Sequence, residues 1–135
     1  MKTTLKVILM MIVLFQFSCN KTEDELNDEF LRGVWVHTET KTDTIDFNVG
    51  FSDKTFKLNR GKEVRNGYVL PKTGSDFYTY EIKGDSIYLQ AMLSSCYCSY
   101  PYYFKLNPNK KSFQIGSFAP FTGGLMINEF KKVNE

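Results

Sequence analysis

The chain has 135 residues, 17 Lys and Arg against 15 Asp and Glu, 16% aromatic side chains, three cysteines and one histidine. That length suits a single hydrophobic core. The bases are spread along the chain rather than gathered into a stripe, which argues against a nucleic-acid partner, and there is no internal repeat or low-complexity tract.

The first six residues, Met1-Lys2-Thr3-Thr4-Leu5-Lys6, are basic. Val7 to Phe17 is apolar apart from Gln16, Ser18 is small, Cys19 follows, and Asn20–Glu25 turns polar at once. This order resembles a bacterial lipoprotein signal peptide. The resemblance implies that residues 1–18 are removed and that Cys19 becomes an acylated N-terminus on a lipid bilayer, each buried methylene contributing about 0.8 kcal/mol. Gln16 stands where the family's cleavage box usually has Leu, and a conventionally cleaved secretory leader is the alternative. The apolar run is roughly half of the ~20 residues needed to span the hydrocarbon core, so an uncleaved anchor is not expected. Lys2 and Lys6 leave with the leader, so the mature chain carries 15 bases and 15 acids.

Residues 19–30 carry Lys21 against Glu23, Asp24, Glu25, Asp28 and Glu29, a composition that does not fold by itself and reads as an acidic tether. Leu26, Phe30 and Leu31 recur at helical spacing, so a short helix over Glu23–Leu31 fits equally well. Asn20–Glu25 also resembles the lysine-plus-acid signal that carries some lipoproteins to the outer face of the outer membrane. The implied location is therefore the outer membrane, on the cell surface or the periplasmic face.

From residue 31 the dominant period is two, the mark of half-buried strands. Trp35 and His37 share a first strand. Thr44–Val49 alternates with Ile45, Phe47, Val49 and then Phe51 on one face. After a turn at Ser52-Asp53-Lys54, Phe56 and Leu58 resume the pattern. Arg60-Gly61-Lys62 and Asn66-Gly67 are turn signals, the second a strong hairpin dipeptide. Tyr78, Tyr80 and Ile82 alternate with polar neighbours, Gly84-Asp85 turns the chain, and Ile87, Leu89 and Ala91 return. Tyr102, Phe104 and Leu106 follow, then Asn107–Lys110 as a turn, Phe113 and Ile115, a Pro120 and Gly123-Gly124 loop, and a last strand near Leu125–Val133. About eight short strands at hairpin spacing predict an all-β domain over residues 31–135. The expected fold is a small antiparallel up-and-down barrel, with a flattened sandwich or half-open sheet as the competitor.

Leu31-Arg32-Gly33-Val34-Trp35 resembles the L-x-G-x-W opening of lipocalin-like domains in small bacterial lipoproteins. The later order is similar too: Tyr80, Ile82, Gly84-Asp85, Ile87 and Leu89, then a closing Phe-Lys-Lys-Val at Phe130–Val133. The resemblance implies a barrel in which Gly33 permits tight packing and Trp35 plugs one end. It also implies a basic residue from the last strands set against that tryptophan, a place open to Lys131 or Lys132.

A barrel of this size either fills with side chains or holds one small ligand. Phe47, Val49, Phe56, Leu58, Tyr78, Tyr80, Leu89 and Phe104 would line it in either case. Buried tyrosine hydroxyls need partners, which a ligand or water can supply. Around Ser94–Tyr103, Cys96 and Cys98 lie among four tyrosines. With Cys19 acylated they are the remaining pair in an oxidising compartment. A local disulfide is the first expectation, then intermolecular pairing and free thiols. Its ring would be very small, and such bonds reduce more readily than structural ones. No metal is expected, because a C-x-C site needs two further ligands and His37 is the sole histidine. Exposed, the tyrosines would make a low-entropy contact surface.

Nothing recommends an enzyme. His37 stands alone as a candidate base, and Asp43, Asp46, Asp53, Asp76, Glu81 and Asp85 read as strand-outward or turn positions that form no acid–base pair. Glycine-rich phosphate loops are absent, and no cofactor is implied. The expectation is a membrane-anchored, non-catalytic barrel that binds a small apolar or amphipathic ligand. The alternative is a protein-interaction module, an accessory subunit of an envelope assembly or a hydrolase inhibitor, with a side-chain-filled barrel.

Overall fold

The computed structural model describes residues 28–47, 49–50, 52, 54–120 and 126–133. The leader and Cys19 lie outside the described residues. Of the Glu23–Leu31 segment, the described part, Asp28–Leu31, is one 3-10 turn.

Ten strands follow: β1 (Val34–His37), β2 (Thr44–Asp46), β3 (Thr55–Asn59), β4 (Lys62–Arg65), β5 (Tyr68–Pro71), β6 (Asp76–Lys83), β7 (Ser86–Ala91), β8 (Tyr100–Leu106), β9 (Ser112–Gly116) and β10 (Ile127–Lys132). Eight of them close a barrel in the order β1-β10-β9-β8-β7-β6-β3-β2, and β4 and β5 form a separate two-stranded sheet. Every barrel ladder is antiparallel, and β1 closes the ring by pairing Trp35 with Ile45 of β2 and with Lys132 of β10. The expected up-and-down barrel is therefore the fold, and closure leaves no strand edge in the main sheet unpaired.

Alternation does the folding. Trp35, Ile45, Phe56, Leu58, Ile87, Phe113 and Phe130 are fully buried, and Tyr80, Leu89, Phe104 and Ile115 nearly so. Between them Val36, Lys57, Tyr88 and Gln114 are exposed or half-buried, as a pleat with period two requires, while Thr55 and Ser112 at the starts of β3 and β9 are also buried.

Two predicted elements differ. The strand expected over Thr44–Val49 ends at Asp46, because its partner β1 begins only at Val34: Gly33, opposite Phe47, has φ +116° and leaves the extended conformation, although the Phe47 N–H still donates to its carbonyl at 3.1 Å in the ladder's register. Phe51 and Asp53, predicted in a strand and a turn, lie outside the described residues. The Asn66-Gly67 turn joins a hairpin that stands apart from the barrel; both residues have positive φ, 52° and 82°, as a type I′ turn demands.

Strand direction sorts the connections into two groups. The β1–β2, β3–β6, β7–β8 and β9–β10 connections gather at one end, here the loop end, and the β4–β5 hairpin belongs to it. The β2–β3, β6–β7 and β8–β9 connections, the 3-10 turn and Val133 gather at the other, the closed end.

Candidate functional site

The positions predicted to line the interior pack mainly on one another. Phe56, Leu58, Tyr80, Leu89 and Phe104 belong to the buried core, and Phe47 and Tyr78 are half-buried against it. Val49 is half-buried in the β2–β3 connection rather than on a strand. Phe47 meets Phe56 and Tyr80 at ring-centroid distances of 5.3 and 5.4 Å, and Phe56 stacks on Tyr78 at 5.3 Å. Phe113 links the remaining rings, 4.9 Å from Trp35 and 5.4 Å from both Phe104 and Phe130. Offset and edge-on arrangements of this kind add about 0.5–1.5 kcal/mol per pair beyond area burial.

At the closed end the Trp35 indole N–H donates to the Leu31 carbonyl at 2.7 Å. The Lys132 ammonium lies 5.4 Å from the center of the Trp35 ring and donates to the Phe30 carbonyl at 3.1 Å, while Lys131 faces solvent. Gly33 has φ +116°, and a Cβ there would stand 3.1 Å from Lys132 Cε, so both backbone and space call for glycine.

Polar side chains replace apolar ones toward the loop end. His37 is fully buried; its Nδ1 accepts from the Thr40 N–H at 3.1 Å, which assigns the proton to Nε2, 3.2 Å from Asn128 Oδ1. Asn128 is equally buried, and its Nδ2 finds no hydrogen-bond partner among the described residues. Asp43, read from sequence as a turn or outward carboxylate, is buried. It accepts from Arg60 Nε at 3.3 Å, the two side chains being 2% and 7% exposed. Arg60 also donates to the Thr73 carbonyl at 2.6 Å. One ion pair thus ties the β1–β2 turn to the β3–β6 connection, a contact that no local pattern announces.

Phe118, which the sequence did not single out, packs half-buried against the core from the β9–β10 connection. Its ring meets Tyr78 at 5.3 Å and Phe56 and Tyr102 at 6.0 Å, edge-on each time. The Tyr78 hydroxyl donates to the Gly74 carbonyl at 3.1 Å. Burial, then the Asp76 carboxylate and Tyr102, push that phenol up to about 12, against a smaller opposing pull from Arg60.

Outside this layer the loop end is apolar and exposed. On the β4–β5 hairpin, Val64, Tyr68 and Val69 keep 70%, 72% and 65% of their surface in solvent. On the β7–β8 connection Leu93 keeps 81% and Tyr97 93%, with Met92 and, at the start of β8, Tyr100 also exposed. Cys96 and Cys98 form a disulfide in the same connection. Away from this end, an open groove of about 500 Å³ runs beside the β6–β7 turn, lined by Ile82, Asp85, Tyr103, Phe104, Lys105 and Leu106.

Among the described residues no cluster of three or more His, Cys, Asp or Glu side chains could hold a metal ion. No described helix is long and apolar enough to cross a membrane. The fold defines the class, a closed eight-stranded antiparallel barrel. Compared with protein-family models, curated proteins and solved structures, the chain has no match.

Proposed function

We propose that this protein is a membrane-anchored, non-catalytic lipoprotein whose barrel presents its loop end to another protein of the cell envelope. The observation that carries this reading is the separation of the two ends. The exposed apolar side chains Val64, Tyr68, Val69, Leu93, Tyr97 and Tyr100 gather at the loop end, above an interior in which rings pack on rings. The chain enters the barrel from the closed end, through Asp28–Leu31. Nine residues from an acylated Cys19 to Asp28 reach at most about 30 Å. Such a tether leaves the closed end toward the bilayer and the loop end toward the envelope space. Aromatic side chains with two torsions lose little entropy when a partner covers them.

A second reading keeps the small apolar or amphipathic ligand, seated in the barrel beside Asn128. Asn128 favours it: a buried amide with an unused donor among the described residues suits a ligand oxygen. Native mass spectrometry of the full lipoprotein, released in detergent from its own membranes, separates the two. A stoichiometric protein partner lost in a Leu93→Ser, Tyr97→Ser variant supports the docking role. A small-molecule mass adduct with no protein partner refutes it in favour of the ligand.

A further inference from the structure

We propose that the Cys96–Cys98 disulfide is a thiol-exchange site, a covalent acceptor for a thiolate, rather than a staple of the fold. Three observations carry this. The bridge joins residues two apart within one connection, so it ties no strand to another. Loop-closure stabilisation falls with the logarithm of ring size and is least for so short a ring. The site is also open: Cys96 is exposed, Cys98 is half-buried, and Tyr97 between them is 93% exposed. Exposed disulfides are the labile ones, because exchange needs access to a sulfur.

The third observation is how the connection is held. The Met92 N–H donates to the Phe77 carbonyl at 2.8 Å and the Ser94 N–H to the Ala91 carbonyl at 3.3 Å, which fixes the loop's start on β6 and β7. The Cys96 N–H donates to Ser94 Oγ at 3.2 Å. Two cysteines two residues apart on a loop anchored this way stay adjacent when reduced, so the pair can re-form its bond after exchange.

The chemistry is a pair of displacements. An incoming thiolate attacks the more accessible Sγ, that of Cys96; a new S–S bond forms, the Cys96–Cys98 bond breaks, and Cys98 leaves as the thiolate. A second thiolate then attacks the incoming sulfur and expels Cys96. The protein disulfide gains two electrons, two external thiols become one disulfide, and the two protons released by those thiols end on Cys96 and Cys98. Thiols are the only co-reactant. Leu93, Tyr97 and Tyr100 beside the bridge favour a cysteine carried on an extended polypeptide over a small hydrophilic thiol.

The test uses the full, detergent-solubilised protein, glutathione, and two cysteine peptides, one flanked by aromatic residues and one by glycine. Alkylation followed by peptide mass analysis reads the state of each cysteine. The site is upheld if reduced glutathione opens the native pair, and if glutathione disulfide, which gives up one glutathione thiolate on exchange, leaves Cys98→Ser with roughly tenfold more mixed disulfide at Cys96 than Cys96→Ser has at Cys98. Faster reaction of the aromatic peptide, lost in Leu93→Ser, identifies a protein-borne thiol; equal rates for all three thiols identify a small one. Persistence of the oxidised pair in glutathione, with reduction only after denaturation, overturns the site. So does a pair recovered from the host as free thiols that will not oxidise. Both readouts need only the purified protein, so they succeed or fail independently of the envelope partner.

Discussion

The two ends of this barrel are built from the same strands and differ in nearly everything else. The closed end is small and interlocked: Trp35 bonds to Leu31, Lys132 covers both the indole and the Phe30 carbonyl, and Gly33 leaves room for that lysine. The loop end has buried polar groups, a Phe118 ring set edge-on against Tyr78, and exposed apolar side chains on a hairpin and a loop. Burying those side chains in the fold would have gained each about 1.5–3 kcal/mol. Under the proposed function, that uncovered apolar surface at one end is what a protein partner would cover.

Substitutions separate the buried residues of both ends from the exposed rim of the loop end by size of effect. Trp35→Ala removes a fully buried indole and its hydrogen bond, and should cost about 3–5 kcal/mol in chemical denaturation. Asp43→Ala leaves Arg60 charged and buried without that carboxylate, and should cost about 3–5 kcal/mol as well. A loss below about 1 kcal/mol there would mean that the ion pair does not pin the two loops.

Alkaline titration gives a smaller, local effect. The Tyr78 phenol is raised from 10.0 to about 12 in the folded protein, chiefly by burial. A raised folded value means the neutral form is the one the fold favours. Its contribution is whole below pH 10 and is lost as pH climbs through about 12. Absorbance at alkaline pH should show one late-ionising tyrosine that Tyr78→Phe abolishes, with a flatter fall in stability over that window. Smallest of all, Leu93→Ser and Tyr97→Ser should change unfolding free energy by less than about 0.5 kcal/mol. Larger losses would make the rim part of the core and erase the contrast between the ends.

Most of the barrel was legible because its strands have one wet and one dry face, and period two reports that directly. The β4–β5 strands were not, since Lys62-Glu63-Val64-Arg65 and Tyr68-Val69-Leu70-Pro71 have no dry face to set a period; the Asn66-Gly67 turn alone marked them. Phe47 keeps the β2 alternation and packs on the core, but the strand stops before it because Gly33, its neighbour across the ladder, has a positive φ that a period-two pattern does not report. The Asp43–Arg60 pair joins positions 17 apart in two turns, a closeness that exists only after the barrel closes. Phe118 lies past the end of β9, outside any repeating pattern. Long-range pairing, not local preference, built the site.

Site-specific photocrosslinking in the native host tests the central claim most directly. A photoreactive residue at Tyr97 or Tyr68 should give one discrete protein adduct, and the same residue at Lys110, at the closed end, should give none of that mass. Labelling of that protein from Lys110 and not from Tyr97 or Tyr68 would contradict the assignment of function to the loop end.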